Sequence, residues 1–428
     1  MRDHKRGLER KLILIAFIYI IVGTLVLYLL QPGPSGLWAL AAAVIMLAGF
    51  MFLSLIWQRK KARYDLYIAP VIFFLAGTGM VFLFRLEPAY GYRQLAWVII
   101  SLAALFVTTA FGHRYRLLSD YKYLFAVAGI AALLLPIFFG IELGGAKSWL
   151  DLGMFHLQPS EFVKLLLVLF LGSYLVENRM PRIKQKGGGK SPTVGGRQYI
   201  LPGIQEWGPL LGMWLTALLV LIFQRDLGTA LIYFGTFLAM VYVATSRWTY
   251  IVSGGILFLA GAAAAFFKVS HVHTRVDIWI NPWATPEGAG YQIIQSLYAI
   301  VAGGIFGSGL GAGFPGYIPA VHTDFIYAAI CEETGLLGGV GVLILYMILV
   351  YRGFKIALSS RDDYSSLMAA GFTSLLGLQV FIIIAGVTKL LPMTGITLPF
   401  ISYGGSSLVA NFILAGMLLN ISGEGEKT

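Results

Sequence analysis

Residues 364–386 read YSSLMAAGFTSLLGLQVFIIIAG, a run of 23 residues without one charged side chain. A helix of about 20 predominantly apolar residues crosses the hydrocarbon core of a bilayer, so this stretch is long enough to span a membrane. Similar runs recur along the chain and predict twelve spans. They lie at about residues 12–30, 37–56, 66–84, 94–111, 121–140, 160–176, 207–224, 227–246, 249–267, 325–350, 364–386 and 405–421. The sequence therefore predicts an all-α polytopic membrane protein.

The composition excludes the other broad classes of protein. Of 428 residues, 58% are hydrophobic and 12% are charged, which is too little charge to cover the surfaces of soluble domains. Soluble enzymes and disordered proteins are thereby excluded, and the single cysteine, Cys331, excludes an intrachain disulfide. The apolar runs lack the alternation of a transmembrane β-barrel.

The distribution of basic residues predicts the orientation. With the N-terminus inside, the inner segments hold 22 of the 31 Lys and Arg residues. This bias follows the positive-inside rule and predicts that both termini are cytoplasmic. The basic, Gly-rich segment 177–206 is interpreted as a cytoplasmic linker beside membrane lipids, whereas segments 141–160 and 268–324 are predicted to lie outside. Because long patterned connections are usually functional, we expect the activity on the outer face.

Ionisable residues within or beside apolar spans are costly and mark candidate sites. Glu161 and Lys164 are three residues apart and share a helix face, which is typical of a structural ion pair or of a polar cavity. The pair Arg225 and Asp226 interrupts an apolar stretch, either as a simple turn or as part of a site. Glu332 falls inside the tenth predicted span, beside a second glutamate, and the two carboxylates cannot both face lipid.

Several familiar motifs are absent or fit poorly. His271 and His273 are two residues apart, whereas helical metal pairs are four apart, so we do not predict a metal site there. No strand precedes the glycines of GGIFGSGLGAG (303–313), and no Walker A or GxSxG motif is present. ATP use, a serine nucleophile and a nucleic-acid partner are therefore not expected.

Four ordered segments resemble the SEDS family (shape, elongation, division and sporulation), which includes RodA, FtsW and SpoVE. They are 145–164 (GAKSWLDLGMFHLQPSEFVK), 286–296 (PEGAGYQIIQS), 319–335 (PAVHTDFIYAAICEETG) and 391–407 (LPMTGITLPFISYGGSS). The resemblance implies a peptidoglycan glycosyltransferase of the bacterial cytoplasmic membrane. Such an enzyme polymerises lipid II, an undecaprenyl-diphosphate-linked substrate, beside a class B penicillin-binding protein. No cofactor is required by the sequence, and a divalent cation at the lipid diphosphate is left open.

The resemblance also implies a set of site residues and a domain division. It places Glu161 and Lys164 in a central polar cavity. The residues that it assigns to substrate binding are Lys147, Trp149, Gln158, Ser160, Glu161, Lys164, Asp226, His322, Asp324, Glu332, Ser402 and Tyr403. Typical members have ten spans over the equivalent of residues 65–428, so residues 1–64 are interpreted as an N-terminal addition of two helices.

One departure from the family pattern concerns catalysis. Family members carry an essential aspartate in a W-x-D-P pattern, and Thr285 occupies that position here. A threonine hydroxyl is not a base near neutral pH, so we expect little or no polymerisation by this chain. Glu287 and, more weakly, Asp277 are alternative bases. A lipid II flippase and a non-catalytic scaffold are the alternative functions.

Overall fold

The described part of the chain folds mostly into helices, as its apolar runs predict. The computed structural model describes residues 2–30, 32–59, 64–143, 145–153, 155–177 and 204–425. Within these ranges the helices are α1 (Arg2–Leu30), α2 (Pro34–Arg59), α3 (Ile68–Leu86), α4 (Pro88–Phe111), α5 (Lys122–Phe139), α6 (Pro159–Glu177), α7 (Ile204–Phe223), α8 (Leu227–Thr245), α9 (Trp248–Lys268), α10 (Ser270–Ile280), α11 (Tyr291–Gly303), α12 (Ile326–Ser359), α13 (Asp363–Val387) and α14 (Gly405–Gly425).

Eleven of the described helices are long and apolar enough to cross a membrane. The predicted all-α polytopic class is therefore confirmed. The remaining predicted span, the seventh at 207–224, coincides with α7, whose apolar part, Leu210–Phe223, is shorter than the other eleven. Almost all of the predicted linker 177–206 lies outside the described residues.

Four helices form the centre of the bundle, and the rest surround them. The central helices are α3, α6, α13 and α14, in which most side chains of the apolar windows are buried. The α9 helix lies at the periphery of the bundle. Of its residues, Gly254 is the one that is buried. The first two helices pack on each other and against α3 and α4. This arrangement surrounds the polar side chains of α6 and α13 with protein rather than lipid.

A small antiparallel sheet leads into α6. Its strands are β1 (Gly140–Leu143), β2 (Ala146–Asp151) and β3 (His156–Leu157), in the order β1-β2-β3. Ile141 pairs with Trp149 in the first ladder, and Asp151 pairs with His156 in the second. These strands, α10, residues 281–325 and residues 388–404 share one end of the bundle, which we call the loop face.

The α12 helix is broken near its start and is completed by a loop. Gly335 has φ 68° and ψ −171°, a conformation that favours glycine and interrupts the helix. Backbone hydrogen bonds of 2.9–3.2 Å join the break to residues 304–309: Leu336 to Gly304, Leu337 to Ile305, Ser308 to Glu332 and Gly309 to Glu333. The loop therefore satisfies backbone groups that the break in α12 would otherwise leave unpaired.

Candidate active site

The centre of the site is a buried ion pair on α6. Lys164 Nζ donates to Glu161 Oε2 at 2.5 Å and to the Gln379 side-chain oxygen on α13 at 2.9 Å. Only 2% of the Lys164 residue surface is exposed, so its charge is compensated by protein groups rather than by water. The spacing of three residues brings the two charges together on one helix face, as predicted. The pair lies directly beneath residues 388–404 of the loop face, because Gln379 also donates to Thr397 O at 2.9 Å.

The start of α8 joins this site through Asp226. Its Oδ1 accepts from the Thr229 backbone and caps the helix, while Oδ2 accepts from Gln158 Nε2 at 3.1 Å and from the Ser160 hydroxyl at 3.4 Å. Burial raises the pKa of Asp226, and the bonds from Thr229 and Gln158 oppose that shift. Asp226 is thus more than a turn residue, because it fixes the start of α6 against the start of α8.

Residues 393–404 cross the site and connect its parts. The Ser402 hydroxyl donates to Thr323 O at 2.5 Å, and the Tyr403 backbone donates to His322 O at 2.9 Å. Ser402 Oγ also accepts from the Leu398 backbone, which closes a tight turn. These bonds attach the segment that contains His322 and Asp324 to the segment that precedes α14.

Two opposite charges face each other across Gly395. A Cβ built on Gly395 would lie 3.6 Å from Asp324 Oδ2 and 3.7 Å from an Arg275 guanidinium nitrogen, with no other group nearby. Arg275 is held by the carbonyl oxygens of Met393 and Thr394, at 3.3 Å and 3.1 Å. Gly395 has φ 72°, so its backbone also favours glycine. A carboxylate and a guanidinium therefore lie on either side of Gly395, close enough for their charges to interact.

Position 285 lies in an exposed turn of the loop face. The Gly290 backbone donates to both the hydroxyl and the carbonyl oxygen of Thr285, at 3.3 Å and 3.2 Å. Glu287, in the same turn, is exposed. Asp277 lies on α10 with its carboxylate 3.1 Å from His273 Nε2, and both side chains are more than half exposed. Position 285 is therefore accessible from outside the protein.

The remaining predicted site residues surround this centre at different distances along the loop face. Lys147, on β2, is exposed and donates to Ile137 O at 2.9 Å, and Trp149 is half-buried on the same strand. The His322 ring stacks on Tyr90, with 3.9 Å between the ring centroids, and Tyr403 lies against both rings. The Gln158 backbone donates to the Ser406 hydroxyl at 3.0 Å, which ties β3 to α14.

Glu332 belongs to a second polar cluster, at the break in α12. Its Oε1 accepts from the Phe314 backbone at 2.7 Å, and the neighbouring Glu333 accepts from Arg85 at 3.0 Å. Arg85 also donates to the carbonyls of Gly311 and Gly313. Both glutamates are buried in protein. Their hydrogen bonds run to Arg85 and to residues 308–314 rather than to Lys164 or Asp226.

Two residues of the site were not singled out from the sequence. Gln379 lies in the middle of the apolar run 364–386, where a polar side chain is itself a signal of a buried partner. Arg275 follows the two histidines of α10, and no local pattern in the sequence pairs it with Met393 and Thr394, more than 100 residues away. The residues that the structure describes contain no group of three or more His, Cys, Asp or Glu side chains able to hold a metal ion.

The fold and site define a polytopic helical membrane protein with a charged cluster under a loop face. The family model described as "Cell cycle protein", for FtsW, RodA and SpoVE, matches residues 65–427, and the chain belongs to this family. RodA of Mycobacterium tuberculosis, named a peptidoglycan glycosyltransferase, is 39% identical over 92% of this chain and 84% of its own length. The stage V sporulation protein E of Bacillus subtilis is 35% identical over 85% of this chain and 98% of its own.

A solved structure shows the same fold. It is described as a peptidoglycan synthase complex that coordinates polymerization and crosslinking. The matching chain has a TM-score of 0.69 and 29% identity, and the match covers 85% of this chain and 99% of that one. The resemblance inferred from the four sequence segments is therefore confirmed.

Proposed function

We propose that this chain is a peptidoglycan glycosyltransferase that acts on lipid II at the outer face of the bacterial cytoplasmic membrane. The observation that carries the proposal is the charged cluster of Glu161, Lys164 and Asp226 beneath the loop face, in a chain whose relatives bear that enzyme name. Arg275 beside Gly395 offers a cation to the lipid diphosphate, because a guanidinium binds phosphate oxygens well. The exposed turn at position 285 lies where the sugars of a membrane-anchored substrate would meet the protein.

The proposed partner is a class B penicillin-binding protein, which would crosslink the new strands. The similarity to a synthase complex that joins polymerization to crosslinking supports this pairing. Residues 1–64 are proposed to be an addition to a ten-span core, since the family model begins at residue 65.

The test is glycan polymerisation by purified protein in lipid vesicles with lipid II as substrate. We expect glycan strands from the Thr285→Asp chain, with and without the partner, and much slower formation from the chain as it stands. If neither chain forms strands while both bind lipid II, the second candidate function is correct. That candidate, a lipid II-binding scaffold, is favoured by the threonine at position 285.

The proposed orientation gives a separate prediction. With both termini inside, the loop face is external and residues 177–206 are cytoplasmic. A membrane-impermeant thiol reagent applied to intact cells is expected to label Glu287→Cys and to leave Ser191→Cys unlabelled. The natural Cys331 is buried and supplies a low background. Labelling of Ser191→Cys without cell lysis would contradict the orientation.

A further inference from the structure

The carboxylates of the loop face differ in their exposure and in the number of hydrogen bonds that they accept from protein groups. Both oxygens of Asp226 accept hydrogen bonds, and one of them caps α8. Asp277 is exposed and lies against His273, and Glu287 is exposed in its turn. Asp324 is partly buried, and one side-chain hydrogen bond, from Thr323, acts on its carboxylate. Asp324 is therefore a shielded carboxylate that accepts fewer hydrogen bonds from the protein than Asp226 does.

The surroundings of Asp324 suit a glycosyl transfer. Its Oδ2 and the Arg275 guanidinium lie 3.6 Å and 3.7 Å from the position that a Cβ on Gly395 would take. The reaction needs a base for the attacking sugar hydroxyl and a cation for the departing diphosphate, on opposite sides of the donor's anomeric carbon. Arg275 is already fixed in place by the carbonyls of Met393 and Thr394, so it would not have to reorganise during the reaction.

We propose that Asp324 is the general base for the polymerisation that this chain carries out with threonine at position 285. The inference rests on the proposed function. In the step, the acceptor sugar hydroxyl attacks the anomeric carbon of the donor, and its oxygen forms the new glycosidic bond. The bond from that carbon to the undecaprenyl diphosphate breaks, and the diphosphate leaves with the electron pair toward Arg275. The hydroxyl proton passes to the Asp324 carboxylate.

The electrostatics of the loop face agree with this role. Burial raises the pKa of Asp324 to about 6, while the hydrogen bond from Thr323 and the charge of Arg275 oppose the shift. The negative charge of Asp226, at the start of α8, favours the charged form of Arg275. His322, on the same segment as Asp324, has its pKa lowered by burial and is therefore neutral at pH 7. A base whose pKa lies near the working pH is well matched to accept a proton.

The experiment compares four chains in lipid vesicles with lipid II: the chain as it stands, Asp324→Asn, Thr285→Asp and the double variant. We expect slow but measurable polymerisation by the first chain and a loss of about 100-fold or more in Asp324→Asn. In the Thr285→Asp background, Asp324→Asn is expected to lower the polymerisation rate less than tenfold, because the new aspartate takes the proton. Retained activity of the double variant also shows that the asparagine leaves the fold intact.

The pH dependence gives a readout that a structural role would not change. A general base works when ionised, so the rate of the unaltered chain should fall below pH about 6. In Thr285→Asp this limb should move toward the ordinary aspartate range near pH 4. Equal losses from Asp324→Asn in both backgrounds, or no measurable activity of the unaltered chain while Thr285→Asp is active, would overturn the role of Asp324. Inactivity of all four chains would instead reject the proposed function on which it rests.

Discussion

Replacing Thr285 by aspartate is expected to raise glycan polymerisation by up to about 100-fold, because a well-positioned general base contributes about 100- to 10,000-fold and Asp324 already supplies about 100-fold of this. Threonine accepts a hydrogen bond but cannot hold the proton that the attacking hydroxyl loses. The turn accepts the change, because position 285 is exposed and the Gly290 backbone can donate to a carboxylate as it does to the hydroxyl. The measurement is the initial rate of strand formation from lipid II.

The matched control is Thr285→Asn, which has the shape of aspartate without its basicity. We expect it to leave the rate within a few fold of the unaltered chain, and both variants to bind lipid II equally well. Glu287→Gln tests the neighbouring carboxylate in the same assay. An unaltered chain that is already fast, and that loses its activity in Glu287→Gln, would make Glu287 the base and disprove the expected gain.

Removing one charge of the buried pair on α6 is expected to be the most damaging change to stability. Glu161→Ala leaves the charge of Lys164 without a partner, and Lys164→Ala leaves the charge of Glu161 without one. Such a loss typically lowers the free energy of unfolding by about 3–5 kcal/mol. Each single variant should therefore lower the thermal midpoint of the purified protein. In the Thr285→Asp background, each should also reduce polymerisation, because Gln379 and Thr397 above the pair would lose their fixed positions.

An exposed ion pair provides the comparison. Arg116 Nη2 lies 2.8 Å from Asp362 Oδ2, with both side chains at least one third exposed. Because solvent screens such pairs, Arg116→Ala is expected to cost no more than about 1 kcal/mol. The double variant Glu161→Gln/Lys164→Met removes both charges and should be more stable than either single variant. Single variants as stable and active as their parent would show that the α6 pair does not organise the site.

The helical framework could be predicted because each span carries its own apolar run. The contact between Glu161 and Lys164 could be predicted too, since helix periodicity alone brings residues three apart onto one face. The contacts of Arg275 and Asp324 with Gly395 could not, because they join segments separated by about 120 and 70 residues along the chain. Periodicity has no information about such pairs. That Glu332 lies apart from Lys164 and Asp226 could not be predicted for the same reason, since its partner Phe314 lies in an irregular loop.

The break in α12 has a consequence for how the loop face moves. Residues 304–309 form backbone hydrogen bonds with α12 around Gly335, so this loop cannot move without breaking those bonds and opening the helix there. The loop and the first turns of α12 should thus open together, as one cooperative unit. In hydrogen–deuterium exchange, the amides of Ser308 and Gly309 should then be as slow as those of a buried helix. The turn around Thr285 does not complete a broken helix in this way, so its amides should exchange quickly. The substrate would then meet a mobile turn beside a rigid loop.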